Sequence, residues 1–450
     1  MQMIKLSVIA LAVAAASTQL AVASQQSESN GFIEDSTLDA HARALYFNRD
    51  FRNDTNGPSN RLNSGKKQNY REESGLGLKA IYESGFTQGT VGFGVDAFGL
   101  QGIKLDSGGG TQGTGQFPSH NRGAKNRKAV DNYSQAGGAV KARLSNTTLK
   151  YGEQFVDLPV LSTDDSRLLP ETATGFLVTS NEIENLELNL GHFTALTDQD
   201  AVRFDSNGIR SIDLVGGRYN FTDDLSAAYF YADAKAGHKG DSSRIQAKKH
   251  YTNVNYTLPI ADAQNLNFDF NMYNTKFNEK DNAPGDRSST NNVWSLAAAY
   301  TLDAHTFTVG HQRVTGGHDG GYEYNYDGGG TVYLLNDVQY NDFRAKGEKS
   351  FQARYDIDMA SFGVPGLSFM TRYVRGTNIA NTVAGVERNN GKNWERDTEA
   401  KYVLQSGVAK DLAFRLRQAT YRANGAAHDA TGNTDVNEVR LIVEYPLSIL

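Results

Sequence analysis

The sequence predicts an all-β chain: a transmembrane, antiparallel, up-and-down β-barrel of about 18 strands whose constriction loops fold inward. Three observations carry this expectation. Apolar and polar residues alternate with a period of two over runs of about ten residues. The connections between the runs are short and long in turn. Beyond residue 24 no stretch of apolar residues is long enough for a helical span.

The chain opens on "MQMIKLSVIALAVAAASTQLAVAS", with Lys5 before an apolar core over residues 6–16 and small residues at Ala21 and Ala23. This pattern predicts a secretory signal peptide over residues 1–23, cleaved after Ala23. An ordinary N-terminal helix is the alternative. The remainder, 24–450, reads as a single barrel domain, without helical heptads or a linker. Cysteine is absent, so an exported protein of this size holds together without disulfides and has no thiolate metal site. With 22 Tyr, 22 Phe and 45 Gly against only 8 Pro, the composition suits many strands joined by many loops.

In "KSFQARYDIDMA", Phe351, Ala353, Tyr355 and Ile357 share one face, while Gln352, Arg354, Asp356 and Asp358 share the other. "DLAFRLRQ" sets Leu412, Phe414 and Leu416 against Arg415 and Arg417. Short connections fall at "ESGFTQG", "SNTT", "EIENLE", "TDDL", "IADAQN", "LDAH", "ASFGVPG" and "SGVAKD". Long polar ones are expected near 49–76, 101–136, 152–175, 195–209, 235–249, 277–290, 314–346, 376–396 and 423–436. Such a sheet would leave long unpaired edges, so closure into a water-filled barrel is expected, with charge inside and apolar residues toward lipid. Tyr46, Phe47, Tyr82, Tyr300 and Tyr445 are expected in the interfacial girdles. Two soluble β-domains are the alternative.

The third long connector, "YGEQFVDLPVLSTDDSRLLPETATGFLV", carries Leu158, Val160, Leu161, Leu168 and Leu169. A loop this apolar is expected to pack against the inner wall and hold Arg167 over the pore. A self-packed surface loop is the alternative.

The segments "GFIEDSTLDA", "ESGFTQGTVGFGVDAFG", "DSRLLPETATGF", "GHFT", "WSLAAAYTLDAHTFT", "VPGLSFM", "AKYVLQSG" and "EYPLSIL" resemble the porin D (OprD) family of substrate-specific outer-membrane channels, amino-acid branch. The resemblance implies an 18-stranded barrel in the bacterial outer membrane, narrowed by the third and seventh loops. It also implies a ladder of basic pore residues: Arg49, Arg167, Lys401, Arg415, Arg417 and Arg440, with Arg61 the nearest candidate for one more. In the seventh loop it points to Asp342 as a pore acid, while Asp337 stands where a hydroxyl residue is usual.

Guanidiniums grip carboxylates through paired donors and keep their charge, so a row of them passes a carboxylate from site to site. Acids on the opposite side would hold a substrate cation and relieve repulsion within the row. The expected function is passive uptake of small carboxylate-bearing nutrients, basic amino acids or short peptides first. The alternatives are a channel for other carboxylates and, in another class, a structural or adhesive barrel. Expected partners are the small-molecule substrate and outer-membrane lipid with lipopolysaccharide, with no nucleic acid; the chain is expected to be a monomer, a weak trimer being the alternative. No cofactor or metal is expected, and no catalysis. A serine-protease-like triad suggested in the family would map onto His192, Ala236 and Thr331, which lacks both the acid and the serine. Asp319, Glu323 and Asp327 are candidates for a surface cation site.

Overall fold

The computed structural model describes residues 24–52, 69–108, 111–120, 128–202, 204–205, 208–237, 243–281, 287–316, 330, 332–383 and 385–449. The expected signal peptide, Arg61, Thr331 and the acids at 319, 323 and 327 lie outside them. The first nine strands are β1 (Thr37–Phe51), β2 (Tyr70–Glu83), β3 (Val91–Asp106), β4 (Asn132–Leu144), β5 (Thr147–Gln154), β6 (Thr172–Ile183), β7 (Leu186–Thr197), β8 (Ile209–Asn220) and β9 (Leu225–Ala236). The other nine are β10 (Ser243–Ala261), β11 (Gln264–Asp281), β12 (Arg287–Leu302), β13 (His305–Gly316), β14 (Lys349–Asp358), β15 (Leu367–Val383), β16 (Val386–Val403), β17 (Ala413–Ala423) and β18 (Val436–Ser448).

Each strand pairs antiparallel with its sequence neighbours, and β1 pairs with β18 from Asp39↔Ser448 to Phe51↔Val436. The barrel is therefore closed. Closure is what hydrocarbon demands, because every strand N–H and C=O must find a partner within the sheet. Alternation then decides which face meets lipid. Phe414 and Leu416 point outward, 44% and 45% exposed, while Arg415 and Arg417 between them point into the lumen. All eight short connections fall at one end of the barrel, where the sequence places them.

Two expectations are corrected. The outer connections near 235–249, 277–290 and 376–396 are shorter than expected, because β10, β11, β15 and β16 run on for 17 to 19 residues. Their polar outer halves read as loop, but they remain hydrogen-bonded as ladder. Phe47 is not a girdle residue. Tyr46 faces outward, so Phe47 faces inward, fully buried against Leu45, Leu168 and Leu169.

The third loop, L3 (155–171), lies inside the barrel. Its Asp157–Leu158 and Leu161–Ser162 segments form a small hairpin whose Val156, Leu158, Val160 and Leu161 join Phe193, Ile212, Leu214 and Tyr273 in one buried cluster. Leu168 and Leu169 pack on the opposite wall. There the inward face of β2 carries Gly75 and Gly77; a Cβ at Gly77 would strike the Leu168 carbonyl. Each fully buried aliphatic side chain contributes about 1.5–3 kcal/mol, against about 0–1 kcal/mol for an exposed ion pair. Apolar packing therefore dominates in holding L3 within the lumen.

A lipid-facing charge tests the assignment of faces. Leu441, near the middle of β18 and directed outward, should cost about 2–4 kcal/mol when replaced by Arg. The shift in denaturant midpoint of the barrel in phospholipid vesicles measures it; an unchanged midpoint contradicts the assignment.

Candidate functional site

A constriction of the lumen is built around the β18–β1 seam, where the third and seventh loops reach the wall. Inward residues of β18 are Glu438, Arg440 and Glu444, and those of β1 are Arg43, Phe47 and Arg49. Glu438, fully buried, accepts from Arg49 Nε at 2.7 Å and from Arg440 Nε at 2.7 Å. Gln339 of the seventh loop donates to the same carboxylate at 3.2 Å. The guanidiniums of Arg440, Arg49 and Arg167 lie 4.4, 5.2 and 5.3 Å from the centre of the Phe47 ring. Three cations thus gather around one aromatic face and one carboxylate, which leaves the constriction positive.

L3 supplies Arg167 to this group. Arg43 donates to the Arg167 carbonyl at 2.7 Å and to Asp165 at 2.8 Å, and Lys79 reaches Asp165 at 3.4 Å. Burial would raise the Asp165 carboxyl, but Arg43 and Lys79 outweigh it and hold the group below its ordinary range. Arg167 itself donates to the Thr114 carbonyl at 3.0 Å and to Ser166 Oγ at 2.7 Å. Loss of water around it, then Arg440, pull its guanidinium down to about 10, so it is still charged at neutral pH.

Below the constriction, β17 and β16 form the lower wall. Arg415 and Arg417 share Glu399, at 2.9 and 3.1 Å. Lys401 stands directly across from Arg415, and no carboxylate of the described residues lies within 4 Å of it. These two arginines, Arg354 and Arg372 line a cavity of about 430 Å³ with Glu399, Asp303, Asp356 and Asp358. A second cavity of about 580 Å³ lies on the outer side, lined by Arg49, Arg71, Tyr340, Asp342, Arg344 and Glu348 among others.

The seventh loop, L7 (317–348), also folds inward in its described part. Glu395 accepts from the Tyr340 and Asn341 amides at 2.8 and 2.9 Å, and Gln312 accepts from the Asn336 amide at 2.9 Å. Tyr333 Oη donates to Asp157 at 3.0 Å, tying L7 to L3. Asp337 and Asp342 are neighbours. Burial first, then Asp342, push the Asp337 carboxyl well up, while Arg344 sits 3.0 Å from Asp342.

The structure thus gathers Arg49, Arg167 and Arg440 around Glu438 and continues the row through Arg417, directly opposite Arg440, to Arg415 and Lys401. Arg440 is only 3% exposed, so its guanidinium serves Glu438 and the Gln339 carbonyl (3.2 Å) before anything in the channel. The acids do not form a wholly separate row. Glu438 and Glu399 lie on the basic wall itself, next to the charges they offset. Sequence reasoning passed over Glu395, Asp397 and Glu399, although the inward positions of "NWERDTEAKY" expose them by alternation. It also passed over the second loop. Glu73 accepts from the Gly113 and Thr114 amides at 3.1 and 2.8 Å, which brings Thr114 to Arg167. Nothing in that glycine-rich segment signals so distant a contact. His192 meets Asp213 at 2.7 Å with Phe176 alongside, and neither Ala236 nor any other residue completes a triad among the described residues.

The family model for outer membrane porins of the OprD family matches residues 30–449. Porin D of Pseudomonas aeruginosa is 47% identical over 478 residues, covering 100% of both chains. The porin-like protein GalP of Pseudomonas putida is 32% identical, covering 94% of this chain and 95% of the other. The crystal structure of Acinetobacter baumannii OccAB1 superposes with a TM-score of 0.82 at 33% identity, over 95% of this chain and all of that one. That of Pseudomonas aeruginosa OprD gives 0.72 at 45% identity, over 96% of this chain and all of that one.

Two outcomes follow from the loop anchors. Asp165→Asn should free the tip of L3 from Arg43 and Lys79 and raise open-channel noise in single-channel recordings; an identical noise spectrum would count against the tether. Burial raises the Glu348 carboxyl of L7 from 4.5 to about 7. For an acid raised in this way, stability is fully present below 4.5 and is lost as pH rises through about 7. Hydrogen exchange in 332–348 should therefore quicken between about pH 4.5 and 7 beyond its intrinsic pH dependence, and Glu348→Gln should remove that excess. A pH-independent loop opening would contradict it.

Proposed function

The chain belongs to the OprD family of outer membrane porins and is a substrate-specific passive channel of the outer membrane, not an enzyme, and we propose that it admits small carboxylate-bearing nutrients, basic amino acids or short peptides foremost. The observation that carries this reading is the pair Arg415 and Arg417, two lumen-facing guanidiniums sharing the single carboxylate of Glu399. One positive charge in excess remains there, and Lys401 adds a further one on the adjoining rung.

A carboxylate leaving Arg167 and Arg49 meets this second group next. Each grip is charge-assisted, and Glu438 and Glu399 compete with the substrate for the same donors. That competition keeps every site shallow enough to leave, as conduction requires. Asp303 and Asp358, exposed in the lower cavity, stand near the arginines and suit a substrate that also carries a cation. A second reading, a channel for carboxylates without a cationic group, draws support from Asp342, whose charge Arg344 already offsets.

Liposome uptake separates these outcomes. Replacing Arg415 and Arg417 together by Ala should lower arginine uptake about tenfold, the worth of one charge-assisted contact, while leaving a neutral sugar unchanged. Equal loss of both solutes, or of neither, would overturn the reading. If simple carboxylates enter wild-type vesicles as fast as arginine does, the second reading gains.

A further inference from the structure

A separate concentration of positive charge lies on the outer surface. On four consecutive strands, the outward-facing residues include Arg313 of β13, Lys349 of β14, Arg375 of β15 and Arg396 of β16. Arg313 stands directly opposite Lys349. Arg375 stands opposite Phe351, the next outward residue below Lys349, and Arg396 stands opposite Tyr373, the next below Arg375. Like charges directly opposite on one sheet face destabilise the pairing. Nothing in the wall relieves them: no carboxylate of the described residues lies within 4 Å of any of the four. The nearby Asp356 and Asp397 turn inward to Arg354 and Arg372.

The depth of the patch follows from strand length. Counted from the end bearing the short turns, Arg313 is the ninth residue of β13, Lys349 the tenth of β14, Arg375 the ninth of β15 and Arg396 the eighth of β16. A tilted strand crosses hydrocarbon in about 9–11 residues, so these cations sit at the outer edge of the apolar layer. Aromatic residues are interleaved with them. His311 stacks on Phe351 at 4.3 Å, and Tyr373 on Trp394 at 5.8 Å, the composition of an interfacial belt. Immediately below, Phe351 and Val309 are about 60% exposed and offer a surface for acyl chains.

We propose that the outward face of β13–β16 is a docking surface for the phosphorylated glycolipid of the outer leaflet, with its phosphates between Arg313, Lys349 and Arg375. Charge complementarity selects this occupant: a phosphate supplies the anion the paired cations lack, at the depth where such a lipid carries it. Guanidinium and ammonium groups hold phosphate as an oxygen triad, and the apolar residues beneath hold the chains attached to it. The inference rests on the outer-membrane location and is independent of the substrate proposed for the lumen.

The test uses the full-length barrel, stripped of lipid in detergent, with binding of bisphosphorylated lipid A followed by native mass spectrometry. Losing about one surface charge's worth of attraction should weaken binding about fivefold for Lys349→Gln and roughly a hundredfold for Arg313→Gln, Lys349→Gln and Arg375→Gln together. Single-channel conductance should stay as in the wild type. Dephosphorylated lipid A should bind the wild type as weakly as the triple variant binds the intact lipid. The proposal is overturned if the triple variant binds within twofold of wild type, if removing the phosphates has no effect, or if phosphatidylglycerol competes as well as lipid A does. Should the triple variant fail to fold, the single Lys349→Gln and Arg375→Gln variants decide by the same criteria.

Discussion

The constriction depends on one buried carboxylate. Glu438 takes a guanidinium from Arg49 on the neighbouring strand and another from Arg440 two residues along its own. Those contacts fix both side chains around Phe47 and leave room for Arg167 on the third side. Removing one partner of a buried ion pair typically costs about 3–5 kcal/mol, because the other charge is left without compensation. Here the loss would spread. Gln339 connects Glu438 to L7, and Arg440 holds the Gln339 carbonyl, so the same carboxylate also positions the seventh loop against β18.

This arrangement answers how six basic residues coexist in one lumen. A bare row of arginines would repel itself, and a fully neutralised row would not attract a solute. Glu438 and Glu399 each sit between two guanidiniums, so each level keeps a surplus of positive charge while repulsion is offset locally. L3 completes the first level because its leucines and valines pack on the inner wall, and the ion pairs at Asp165 aim its tip. Selectivity in this account comes from fixed charge on rigid strands, with loops held by apolar burial supplying the narrowing.

Much of this was legible in the sequence, for a physical reason. In a barrel the side-chain period is two everywhere, so "DLAFRLRQ" alone assigns Leu416 to lipid and Arg417 to water. The same rule, applied strictly, would have turned Phe47 inward as soon as Tyr46 was turned outward. It would also have turned Glu399 into the lumen, between Asp397 and Lys401. What alternation cannot supply is contact between strands and loops far apart in the chain. The meeting of Glu73 with Thr114, or of Gln339 with Glu438, depends on how closure brings loops across the lumen. Outward polar residues such as Gln246 and Lys248 misled in a different way, since they make an extended ladder look like connecting loop.

The central claim is that the carboxylate of the solute, handed between guanidiniums, governs passage. Arginine and agmatine share the guanidinium and the carbon chain, but only arginine carries a carboxylate. Their relative entry rates into proteoliposomes containing the wild-type barrel are therefore the most direct measurement. The account predicts that arginine enters at least about tenfold faster, the worth of one charge-assisted contact. Equal rates, or faster entry of agmatine, would contradict it.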